Sequence, residues 1–89
     1  MILRDVILDF LPMDEYRTTD QVMAHVDEAY KFSSSGPTPE MVVATLDALR
    51  RERRVAHLMV RSVSSYRRRS DLEYRQLLAE INGQQGRLL

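Results

Sequence analysis

The sequence predicts a mainly helical α+β domain with one small β-hairpin. Three observations predict it. Four segments repeat apolar residues every three or four positions, the period of a helix with one buried face. Helix-capping residues, Thr18 or Thr19, Thr38 and Ser70, stand just before three of those segments. The run Val55-Ala56-His57-Leu58-Met59-Val60 is apolar and partly β-branched, which suits a strand, and Tyr66 to Arg69 can return beside it.

The first helix spans Ile2 to Leu11, with apolar residues at 3, 6, 7, 10 and 11 and Arg4, Asp5 and Asp9 between them. Pro12 ends it, because proline disfavours helical backbone in the residue before it. Met13 to Thr18 is a connector, with Tyr16-Arg17-Thr18 a weak strand candidate. The second helix buries Val22, Met23, Val26, Ala29 and Tyr30 and leaves His25, Asp27, Glu28 and Lys31 largely outside. Ser33-Ser34-Ser35-Gly36-Pro37 is a turn, the clearest break in the chain and too short for an interdomain linker.

Thr38 caps the third helix and Pro39 suits its first position, where a backbone N–H would lack a partner anyway. Val42, Leu46 and Leu49 form its buried stripe. It fades near Arg53, and one of Arg51 to Arg54 takes the turn conformation, since no glycine is present to end it. Val55 to Val60 is then a strand, Arg61 to Ser65 the hairpin tip, and Tyr66 to Arg69 the return strand. Ser70 caps the last helix, with Asp71 and Glu73 in its first turn. Leu72, Leu77, Leu78 and Ile81 make its apolar stripe, and Gly83 supplies a left-handed cap. Residues 1–82 are thus expected to form one domain, with the last helix over about 71–82 and a flexible tail over 83–89.

Charge is the most informative part of the composition. The 13 basic and 13 acidic residues cancel overall. Residues 1–49 carry nine acids against three bases, a balance of −6, whereas residues 50–89 carry ten arginines against four acids, a balance of +6. Such a split marks an anion-binding face, or two halves that attract each other within the fold or across a dimer. The chain has no cysteine, so disulfides and cysteine-based metal sites are excluded. Asp5 and Asp9 break the apolar start that a signal peptide needs, and no apolar run is long enough to span a membrane. A cytoplasmic protein without a membrane partner is expected.

No catalytic constellation emerges. The adjacent acids Asp14-Glu15 and Asp27-Glu28, and the near pair Asp71/Glu73, do not face each other across a cleft. Ser33 to Ser35 and Ser62, Ser64 and Ser65 lack a nucleophile elbow or a placed base. His25 and His57 stand 32 residues apart without further ligands. Neither an enzyme nor a cofactor is expected.

The order of helix, connector, helix, turn, helix, strand, basic tip, strand and helix resembles a winged helix-turn-helix domain. The resemblance is carried by Thr-Pro-Glu-x-Val-x-x-x-Leu-x-x-Leu at Thr38 to Leu49 and by Arg50-Arg51-Glu52-Arg53-Arg54-Val55-Ala56-His57-Leu58. Both look like the recognition helix and first wing strand of winged-helix transcriptional regulators. The likeness is one of pattern and covers roughly residues 2–69. It implies a three-helix core, a wing and a C-terminal helix, with double-stranded DNA as partner.

Carried over, Glu40, Met41, Ala44, Thr45 and Ala48 would face the major groove. Arg61, Ser62, Ser64, Ser65, Arg67, Arg68 and Arg69 would form the wing. Arg50, Arg51, Arg53 and Arg54 would support them at the helix end. Base reading favours Arg, Lys, Asn or Gln, and residues 38–49 contain none. The arginines therefore carry the DNA expectation, through phosphate contacts, while sequence choice would fall to Met41, Thr45 and DNA shape. In this family flanking helices often make the dimer, so Leu72, Leu77, Leu78 and Ile81 are the expected homodimer interface. The rival expectation is a protein-interaction module, such as a phage or mobile-element accessory protein, that binds a partner protein through its acidic half or apolar last helix.

Overall fold

Among the described residues, helices and short strands follow one another as α1 (Leu3–Phe10), β1 (Arg17–Thr18), α2 (Thr19–Ala29), α3 (Pro39–Arg51), β2 (Val55–Val60), β3 (Val63–Arg68) and α4 (Asp71–Arg87). The computed structural model describes the backbone of residues 2–87 and the surroundings of residues 2–83. The architecture is α+β, with four helices and a three-stranded antiparallel sheet in the order β1-β3-β2.

The buried stripes meet in one core. Ile7 and Leu11 from α1 and its end, Val22 and Val26 from α2, and Val42, Leu46 and Leu49 from α3 pack with Val55 and Tyr66 of the sheet. Each fully buried Leu, Ile or Val contributes about 1.5–3 kcal/mol, so the core rests on the residues whose helical spacing is clearest in the sequence. Burial pushes the Tyr66 phenol up from its ordinary value, with Asp47 adding to the effect. Tyr66 therefore stays neutral at the core's edge.

The caps form as the sequence implies. Thr18, not Thr19, caps α2: its hydroxyl accepts from Gln21 N, and the Gln21 side chain accepts from Thr18 N. Thr38 Oγ1 accepts from Met41 N at 3.3 Å. His25 is half-buried rather than largely outside, with its ring stacked on Phe10 at 4.3 Å between centroids.

The end of α3 turns on Arg53, whose φ is 67°. Arg54 N donates to Leu49 O and Arg53 N to Arg50 O, the paired closure of a left-handed helix cap. An arginine thus occupies a position that usually belongs to glycine.

Two expectations need correction. The hairpin tip is two residues, Arg61 and Ser62, with φ of 50° and 67°, rather than the five residues Arg61 to Ser65. Val60 pairs with Val63 and Val55 with Arg68, so β3 takes up Val63 to Ser65 and ends at Arg68. Two consecutive positive φ values give the turn twist that suits antiparallel strands. The last helix does not stop at Gly83 either. It continues to Arg87, so the expected tail begins too early, and residues 88–89 lie outside the described residues. No described helix is long and apolar enough to cross a membrane.

Candidate nucleic-acid interface

The two ends of the hairpin carry different parts of the expected cationic set. Arg61 sits exposed at the tip. Arg67, Arg68 and Arg69 sit at the base, because β3 pairs Arg67 with Ala56 and Arg68 with Val55. Six residues of strand separate tip from base, about 20 Å at 3.3 Å per residue. Arg61 and Arg67 to Arg69 therefore do not form one clamp. Of the basal arginines, Arg69 joins the end of α3: Arg69 N donates to Arg54 O at 3.0 Å, and the Arg69 guanidinium donates to Arg53 O at 3.4 Å.

Strand alternation then sends Arg67 and Arg68 to opposite faces. Arg67 turns to α4 and donates to both carboxylate oxygens of Glu73, each at 3.0 Å, and to Met13 O at 3.1 Å. The Glu73 contact is the main reason its guanidinium is held above its ordinary value. Glu73 is lowered in turn, first by the Arg67 bonds. Arg68 turns to α1 and is half-buried, and its Nε is enclosed without a hydrogen-bond partner. It borders a cleft shared by Arg4, Asp5, Asp9, Arg54, Arg69 and Asp71, where three carboxylates offset the arginines. Arg54 lays its guanidinium 3.8 Å from the centre of the Tyr74 ring.

A second cleft, of about 230 Å³, is different. Arg50, Val55, His57, Arg53, Arg69 and Leu77 line it, and no carboxylate does. Among the described residues, no acid lies within ion-pair distance of Arg50, Arg53 or Arg69. The Arg53 guanidinium leans to Arg50 O at 3.5 Å, and His57 Nε2 lies 3.1 Å from Ser64 Oγ. Glu52, the one acid within the arginine run, is turned away to Arg4, and their hydrogen bond lowers the carboxyl and raises the guanidinium.

On α3 the expected positions divide. With Val42, Leu46 and Leu49 buried, helical geometry places Glu40, Ala44 and Arg51 outermost, with Asp47 half-buried at the edge of that strip. Met41 and Thr45 fall on one flank, linked by Thr45 Oγ1 donating to Met41 O at 2.8 Å. Arg50 falls on the other, turned with Asp47 to Tyr66. The outer strip also holds a shallow groove lined by Pro39, Glu40, Val43, Ala44 and Asp47. It offers carboxylates and aliphatic groups rather than cations.

α4 is fastened by its first turn. Ser70 Oγ accepts from Glu73 N at 3.2 Å, and the Arg67–Glu73 and Arg54–Tyr74 contacts hold the same turn. Of its apolar residues, Leu77, Leu78 and Ile81 lie within about 100° of arc, and Leu72 on the opposite side. The four do not share one stripe, although Leu72 is 66% exposed and Leu78 is also exposed. Sequence reasoning missed another apolar group: Leu58, Val60 and Val63, exposed together on the hairpin face turned from the core. Only the strand register reveals that they share a face. Among the described residues, no group of His, Asp or Glu is placed to hold a metal ion. The chain matches no family model, no curated protein and no solved structure.

Proposed function

We propose that the chain is a winged helix-turn-helix protein that holds double-stranded DNA by its backbone. The order α1-β1-α2-α3-β2-β3, with β1 on the far side of β3 from β2, supports the winged-helix reading. The observation that carries the DNA reading is the convergence of Arg50, Arg53 and Arg69 without a carboxylate partner. Exposed Arg51 and, at the tip, Arg61 add further unpaired charge. Tip and base stand about 20 Å apart, wider than a major groove of about 12 Å, so the two ends can reach phosphates on both strands. Glu40 on the outer strip of α3, with Asp47 beside it, disfavours close base reading. Affinity is then mostly electrostatic, with sequence preference weak and left to DNA shape.

A second reading is favoured by the exposed Leu58, Val60 and Val63 face and by exposed Leu72 and Leu78. These are surfaces for a partner protein or for a second copy of the chain. Binding to random-sequence duplex at stepped salt separates the readings. The DNA reading expects log affinity to fall linearly and steeply with log salt. No binding at low salt would sink it and promote the protein-partner reading.

A further inference from the structure

We propose that the cleft between the end of α3, β2 and α4 is a discrete phosphate-binding site, formed by Arg50, Arg53 and Arg69 with His57 at its edge. The proposal deepens the duplex reading, since it uses arginines of the same surface, but it makes a separate claim. Three guanidiniums that merely decorate a surface would diverge into water. Two of these are held to the backbone at the cleft: the Arg53 guanidinium donates to Arg50 O and the Arg69 guanidinium to Arg53 O. The carbonyl that Arg69 meets belongs to Arg53, the residue in the left-handed conformation. Of the neighbouring acids, Glu52 is paired with Arg4 and Glu73 with Arg67. Asp47 lies near Arg50 at Tyr66 and Glu80 shares a cleft with Arg69, neither within ion-pair distance of the three arginines. Like charges gathered without an ion-paired carboxylate repel one another, and a multivalent anion between them reduces that repulsion. Arginine matches phosphate oxygens through paired N–H donors. The neighbouring cleft beside α1, which Arg69 also borders, supplies the contrast, because Asp5, Asp9 and Asp71 stand among its arginines.

The shared chemistry is a phosphate group, either a diester of the DNA backbone or a free phosphate. The test is amide and side-chain NMR of the whole chain during titration with sodium pyrophosphate at constant ionic strength, then with a short duplex. Saturable shifts confined to residues around Arg50, Arg53, His57 and Arg69 are expected. Arg50→Ala or Arg69→Ala should weaken binding about tenfold or more each. Lys31→Ala, which removes a positive charge outside the cleft, should leave it unchanged, and an unaltered far-ultraviolet spectrum shows that each variant folds. Pyrophosphate binding without duplex binding keeps the site, assigns it to free phosphate and removes the duplex reading. Shifts by both ligands at these residues, with mutual displacement, assign it to the backbone. Duplex binding with no saturable pyrophosphate shift, or shifts spread equally over all arginines, overturns the cleft site and leaves the duplex reading standing.

Discussion

Arg67 and Glu73 meet through two parallel N–H···O bonds of 3.0 Å, joining the end of β3 to the first turn of α4. The pair withdraws one arginine from the anion-binding set and fixes where the last helix leaves the sheet. Glu73 is lowered from its ordinary value of 4.5, chiefly by Arg67. A lowered carboxyl stabilises the fold fully above its unfolded value and loses that contribution as pH falls through the folded value. Glu73→Gln should therefore lower the melting temperature at pH 7, and the difference from the parent should close as pH falls below the ordinary carboxylate range and through the lowered folded value. The Glu73 side chain is 38% exposed, so solvent screening keeps the effect at about 1 kcal/mol or less. A difference that persists unchanged once the carboxyl is protonated in the folded state would show that the pair contributes through packing rather than charge.

Arg53 holds a left-handed conformation that favours glycine. Arg53→Gly should raise stability by about 1 kcal/mol while weakening anion binding. Thermal unfolding and duplex titration of the same variant check the two halves. Opposite movement of stability and affinity would mark Arg53 as a residue kept for its charge at a cost in strain.

The hairpin tip makes the same point twice over. Replacing Arg61-Ser62 by Asn-Gly supplies the residues this turn conformation prefers. The melting temperature should rise by about 4–8 °C for each kcal/mol gained. A fall would contradict the two-residue register.

Gly83 tests the path of α4. In a helix that continues to Arg87, Gly83→Ala adds helix propensity of about 1 kcal/mol, and the space around its new methyl group is open. Greater helicity by circular dichroism is expected. Reduced helicity would mean that the helix ends at Gly83 in a left-handed cap.

Much of the fold is legible where local periodicity and burial agree. Thr38-Pro39 starts α3, and Val42, Leu46 and Leu49 bury together because a helix of 3.6 residues per turn aligns them. The hairpin tip is not legible in the same way. Arg61-Ser62 lacks the Asn or Gly that favours two consecutive positive φ values, and pairing of the whole of β2 with β3 imposes their backbone. Gly83 reads as a stop locally, yet the helix passes through it. The candidate site is legible as composition and not as geometry. Arg67, Arg68 and Arg69 look like one cluster, but strand alternation sends Arg67 to Glu73 and Arg68 to α1, while Arg69 joins Arg50 and Arg53. That regrouping depends on how the chain leaves the sheet at Ser70, which no local pattern encodes.

The central claim is that unpaired arginines at the hairpin base meet DNA phosphates. Its most direct measurement is the salt slope of duplex binding for the parent, for Arg50→Ala/Arg53→Ala/Arg69→Ala, and for Arg67→Ala. The account predicts that the triple variant flattens the slope by about three units, one per lost phosphate contact, while Arg67→Ala leaves it unchanged. Equal slopes for the parent and the triple variant would contradict it.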